Sequence, residues 1–127
     1  MNSNSQCGCS CNATPTIIFP CSGAADVGEL ADRTARQLTK DGVGKIYCLA
    51  GIGGGVSGII ESTRSASKIL VIDGCPLDCA KKTMEKAGLQ TFKHIHITDM
   101  GFKKGSTEVN EHSLKSSVEK CKSLICS

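Results

Sequence analysis

The sequence predicts a three-layer α/β fold: a mostly parallel, four-stranded sheet flanked by helices. Short apolar runs alternate with stretches of helical periodicity from residue 16 onward. These runs are continuously apolar, as strands buried on both faces are. The aromatic content is low, with three Phe, one Tyr and no Trp among 127 residues. The core must therefore be built from Ile, Leu, Val and Ala, which suits helices packed on a sheet. The length allows one domain, assigned to residues 15–127.

Residues 1–14 (MNSNSQCGCSCNAT) have no hydrophobic periodicity and read as a disordered leader carrying Cys7, Cys9 and Cys11. Residues 16–20 form the first strand. Residues 26–40 form a helix in which Leu30, Ala31, Ala35 and Leu38 recur at helical spacing, closed by Asp41-Gly42. Residues 45–50 are the second strand, and a glycine-rich turn at 51–55 leads into a helix at 56–65. Residues 68–73 are the third strand. Pro76 then stands where a first helical residue is favoured, and that helix runs to about Ala87, with Gly88 closing it. Residues 91–98 alternate as a fourth strand, and 108–121 make a last helix with Val109, Leu114 and Val118 on its apolar face. Short right-handed connections leave few arrangements of these elements. The favoured one puts the first strand between the second and third, an open sheet of the Rossmann or flavodoxin-like kind.

Charge and composition exclude some functions. A net charge of +3 is spread over scattered lysines, unlike the dense basic stripe of a nucleic-acid-binding domain. Few aromatics are available for bases to stack on. No apolar run approaches the ~20 residues of a membrane span. No secretory signal pattern precedes the domain, so a cytoplasmic location is expected, with no nucleic-acid or membrane partner.

Nine cysteines are far more than this chemistry-poor background requires. In a reducing compartment, clustered cysteines read as metal ligands or redox groups. Cys21 follows the first strand, Cys48 stands near the end of the second, and Cys75 follows the third by two residues. In an open α/β sheet these positions share the edge outside the carboxyl ends of the strands, where ligands bind at the reversal of strand order. Neighbouring strands are about 5 Å apart, so three thiols there can approach one ion. Cys79 follows Cys75 by four residues, one turn along the helix expected from Pro76. Four sulfurs from three loops suit tetrahedral zinc or an iron–sulfur cluster. Helix N-termini at the same edge would offset the charge of four thiolates.

Three stretches carry a family resemblance: Cys21-Ser22-Gly23, Cys48-Leu49-Ala50-Gly51-Ile52-Gly53-Gly54 and Ile72-Asp73-Gly74-Cys75-Pro76-Leu77-Asp78-Cys79-Ala80. In this order they resemble the DGC-domain proteins, named for the central triplet that is here Asp73-Gly74-Cys75. The resemblance spans about residues 16–105. It implies that Cys21, Cys48, Cys75 and Cys79 are zinc ligands, and it implies no particular activity. Cys7, Cys9 and Cys11 are not part of the pattern. The leading expectation is therefore a zinc-binding protein with a four-cysteine site, structural or engaged in metal or metalloid handling. The alternative is a thiol enzyme for redox, sulfur-transfer or metalloid-reducing chemistry. Its nucleophile would be Cys21, Cys75 or Cys79, with thiolates at helix N-termini beside a glycine-rich loop. No C-x-x-C pair and no evident base support it. An iron–sulfur protein is a second alternative.

Weaker signals have ordinary explanations. Gly53-x-Gly55-x-x-Gly58, with Asp73 twenty residues after Gly53, imitates a dinucleotide fingerprint. Fourteen glycines make a chance match easy, and a compact loop is the plainer reading. His94 and His96 share one face of the fourth strand and are read as a solvent-facing or hydrogen-bonded pair before being read as extra metal ligands. Asp78 is expected to stabilise the first turn of its helix, and Asp73 to accept a loop amide. His112 carries no partner signal. Cys121 and Cys126 are read as incidental.

Overall fold

The computed structural model describes residues 15–126. The leader expected at residues 1–14 lies outside the described residues. Four strands, β1 (Thr16–Pro20), β2 (Gly44–Ile46), β3 (Ile69–Asp73) and β4 (Lys93–His96), form one sheet in the order β2-β1-β3-β4. Every pairing is parallel: Ile17 faces Lys45 and Ile69, and Val71 faces His94. The helices are α1 (Asp26–Lys40), α2 (Leu49–Gly53), α3 (Ser57–Arg64), α4 (Cys79–Lys86) and α5 (Glu111–Cys126), with a 3-10 turn at Ile97–Met100.

The alternation of side chains along each strand divides the core into two layers. Ile18, Leu70 and Ile72 face Val27, Leu30, Ala31 and Leu38 of α1 and Val118, Cys121 and Ile125 of α5. Ile17, Phe19 and Val71 face Ile52 of α2 and Ala80 and Met84 of α4. Both faces of the sheet are thus covered, which is why the inner strands β1 and β3 are largely apolar. Between α1 and α5 the hydroxyls of Thr34 and Ser117 meet at 2.7 Å, so two buried polar groups satisfy each other inside an apolar layer.

Several elements differ from expectation. The second strand stops at Ile46 instead of continuing to residue 50. Tyr47 N–H makes a last bond to Ile18 O at 2.9 Å, after which α2 forms. This turn swings Ile52 onto the Phe19 face of the sheet, a burial that extended backbone would not achieve. The glycine-rich turn expected at 51–55 is therefore partly helical. Gly53 ends α2, Gly55 has φ of 73° and Gly58 lies within α3, so the three glycines do not form a strand-to-helix phosphate turn.

Pro76 is not a first helical residue, because α4 begins at Cys79. Asp78, immediately before it, is left-handed at φ 61°, which a residue of a helical turn cannot be. The last helix starts at Glu111 and reaches Cys126, where 108–121 is expected. Asn110 sets its start: Asn110 Oδ1 accepts Ser113 N–H at 2.9 Å while Ser113 Oγ accepts Asn110 N–H at 3.0 Å, a reciprocal cap. Val109 consequently precedes the helix. Among the described residues, no helix is long and apolar enough to cross a membrane.

Candidate functional site

The order β2-β1-β3-β4 reverses direction between β1 and β3, and the loops leaving these two strands lie side by side. Such a reversal opens a crevice at the carboxyl edge of the sheet. Cys21 N–H still donates to Ile72 O at 2.9 Å, so the first cysteine is stitched to β3 just past the end of β1. Ser22 then turns through a left-handed conformation at φ 51°, and its hydroxyl donates to Asp32 Oδ1 of α1 at 2.7 Å.

The β3 loop packs tightly against the start of α1. A Cβ on Gly74 would stand 2.9 Å from Gly28 N and from Val27 C, and one on Gly28 would stand 2.6 Å from Gly23 O. These are backbone atoms that cannot swing away, so glycine at 74 is a packing requirement. Asp73, the residue before it, is buried with 1% of its surface exposed. Its carboxylate accepts Ala80 N–H at 2.7 Å and Lys81 N–H at 3.1 Å. It thereby supplies the cap of α4 from the end of β3. Asp78, expected to stabilise that first turn, makes no side-chain cap bond. Its carboxylate is turned instead towards β4.

Cys21, Cys75 and Cys79 line one open cavity of about 360 Å³, together with Gly23, Gly28, Gly74, Leu77 and Lys104. Lys104 Nζ donates to Cys75 Sγ at 3.5 Å. Cys48, which precedes α2, lines a second cavity of about 670 Å³ that also includes Cys21. Cys21 thus stands between the pair Cys75 and Cys79 on one side and Cys48 on the other. Cys48 and Cys79 are exposed, while Cys21 and Cys75 are half-buried. Burial pushes the Cys21 thiol pKa above its ordinary value. Backbone N–H bonds from Gly23 and Gly74 lower it, without reversing the effect, and Asp73 and Cys79 add to the rise. Cys121, by contrast, is enclosed in the α1/α5 layer, and burial pushes it up to about 12.

The histidines expected as a pair on β4 are hydrogen-bonded. Their rings stand 4.6 Å apart between centroids. His94 Nε2 lies 2.8 Å from Asp73 Oδ2 and 3.8 Å from Asp78 Oδ1. His96 Nε2 lies 2.5 Å from Asp78 Oδ1, and its Nδ1 lies 2.8 Å from Asp99 Oδ2. Partial burial opposes the charged form of His96, but the Asp78 and Asp99 carboxylates outweigh it and raise its pKa. The hydrogen bond to His96 correspondingly holds Asp78 below the usual carboxylate value. Among the described residues, the three side chains whose ligand atoms all lie within 4.8 Å of one another are Asp78, His94 and His96. Among the described residues, the cysteine sulfurs do not make such a group. Sequence reasoning placed the histidines on one face but missed their partners; the signal was the pair Asp73 and Asp78 in the loop before α4. His112 is exposed on α5, away from this network.

A parallel α/β domain with cysteines collected at its ligand-binding edge is the class that fold and site define. The chain belongs to the DGC-domain family, whose model matches residues 17–121. It is 33% identical over 88 residues to the anaerobic and virulence modulator AnvM of Pseudomonas aeruginosa, an alignment covering 69% of this chain and 67% of that protein. No solved structure matches it. The family match takes in all four cysteines of the expected site as well as Asp78, His94 and His96.

Proposed function

We propose that this protein binds a soft metal ion, zinc above all, through Cys21, Cys75 and Cys79, with Cys48 as the fourth donor. The observation that carries this reading is the sharing of one cavity by three thiols at the reversal of strand order. Thiolate sulfur is the donor that zinc and other soft ions prefer. In a tetrahedral thiolate site with Zn–S of about 2.3 Å, the sulfurs stand about 3.8 Å apart. Binding would therefore require the four thiols to gather to that spacing. Lys104 beside Cys75 would offset part of the thiolate charge. Bound zinc would supply Lewis acidity, and the chain would hold it and control its release. Exposure of Cys48 and Cys79 favours an exchangeable ion, hence metal or metalloid handling, over a sealed structural one. Reduced thiols suit a cytoplasmic setting.

A thiol enzyme at the same cluster has the Gly23 and Gly74 amides on Cys21 in its favour. The raised pKa of that thiol counts against it, since the thiolate is the nucleophile. The test is elemental analysis of the full chain purified reduced and without oxygen. The Cys75→Ser/Cys79→Ser chain should carry about one zinc fewer than the unsubstituted chain. Equal zinc in both, or none in either, defeats the proposal, and a brown protein containing iron and sulfide would replace zinc with a cluster.

A further inference from the structure

The geometry points to a second metal site, formed by Asp78, His94 and His96, that takes a divalent transition ion of borderline softness through nitrogen and oxygen. The segment between β3 and α4 has two sides. Its sulfurs, Cys75 and Cys79, line the cavity against α1, while the Asp78 carboxylate turns towards β4. The left-handed backbone at Asp78 separates these directions at adjacent residues. On β4, His94 and His96 are two positions apart and so project from the same face of the strand. His94 Nε2 and His96 Nε2 stand 3.8 Å and 2.5 Å from Asp78 Oδ1, and the ligand atoms of the three residues lie within 4.8 Å of one another. Zinc bonds of about 2.0–2.2 Å set tetrahedral ligands about 3.4 Å apart, so an ion would draw His94 in and replace the His96–Asp78 hydrogen bond.

The surroundings match what a metal-binding imidazole requires. The remaining nitrogen of His96, Nδ1, is held by Asp99 Oδ2 at 2.8 Å, the outer carboxylate contact that orients histidine ligands. Asp73 Oδ2 stands 2.8 Å from the same His94 Nε2, a contact that a bound ion would replace, leaving Asp73 to the α4 amides. Three carboxylates face two imidazoles, an excess of negative charge that favours a cation, with Lys81 the cationic neighbour of Asp78. The three donors retain 17–24% side-chain exposure, enough for an ion to enter. Three protein ligands leave a coordination position for water or a small ligand. This site shares no donor atom with the cysteine cluster, and its existence does not depend on zinc binding there.

Cobalt(II) separates the two sites, because only thiolate ligation adds intense near-ultraviolet charge transfer. The reduced, full-length Cys75→Ser/Cys79→Ser chain should bind Co²⁺ with visible ligand-field bands and no sulfur charge transfer. Adding His94→Ala should abolish those bands, and Asp99→Asn should weaken binding about tenfold while keeping their shape. In the unsubstituted chain, added Zn²⁺ should shift the Nε2 resonances of His94 and His96 in ¹H–¹⁵N spectra and leave those of His112 in place. Unmoved His94 and His96 nitrogens, or cobalt binding indifferent to His94→Ala, overturn the proposal. Loss of sulfur charge transfer from the unsubstituted chain would instead overturn the cysteine site alone.

Discussion

The Asp26 carboxylate accepts Val27 N–H at 2.7 Å and, from the far side of the chain, Gly105 N–H and Thr107 N–H at 2.9 Å each. One side chain at the start of α1 thus ties down the loop before α5. The Gly105 and Thr107 bonds hold its pKa below the ordinary 3.8. A depressed carboxylate stabilises the fold fully above the unfolded value, and that contribution is lost as pH falls through the folded one. Amide exchange at Gly105 and Thr107 should therefore stay slow down to about pH 4, after correction for intrinsic rates, and lose protection below it. In Asp26→Asn the protection should be weak at every pH. Cys121 offers a second expectation at this scale. A thiol pushed up to about 12 and fully enclosed should resist iodoacetamide near neutral pH until the protein unfolds, while exposed Cys48 and Cys79 react. Peptide mapping after brief labelling of metal-free protein reads this directly, and early labelling of Cys121 would contradict the buried placement.

Among the elements, the contact between the β3 loop and α1 is the least forgiving. Gly74→Ala places a methyl group against backbone of Val27 and Gly28 and should destabilise the protein by about 1–3 kcal/mol in urea unfolding. Gly58 in α3 has open space around its would-be Cβ. Gly58→Ala should be neutral or stabilising by up to ~1 kcal/mol, and equal effects at the two positions would refute the packing argument. The elements also differ in how legible they are in sequence. Helix α1 is readable at both ends, because apolar spacing, acidic first-turn residues and Gly42 all agree. Helix α2 is not, since the five residues Leu49-Ala50-Gly51-Ile52-Gly53 set two glycines against two good helix formers, and the turn is held by the burial of Ile52. The start of α4 is misread because its cap comes from Asp73 on a neighbouring strand end, while Pro76 supplies a misleading local cue. The thiols are placed at the correct edge by strand ends alone. The Asp–His network is hidden because its partners are 18 and 21 residues apart and meet only through the pairing of β3 with β4.

For the molecule as a whole, an ion held by segments that follow β1, β2 and β3 would tie three parts of the chain together at one edge of the sheet. An ion that binds the folded chain and not the unfolded one stabilises it by mass action, about 2.7 kcal/mol at 100 times its dissociation constant. The thermal midpoint of the full chain should rise by several degrees with zinc, fall back on adding a chelator, and respond less in Cys75→Ser/Cys79→Ser. A midpoint indifferent to zinc would mean that the thiols do not grip an ion across these segments.

The sheet tapers towards its rims: the inner strands β1 and β3 have five residues each, whereas β2 has three and β4 four. Each outer strand also carries an exposed lysine, Lys45 or Lys93. A passing copy of the chain would find only a short row of backbone groups to extend, with positive charge beside it, and brief charged edges of this kind discourage strand-to-strand aggregation. The short second strand, which frees Cys48 for its loop, thus also blunts one border of the sheet.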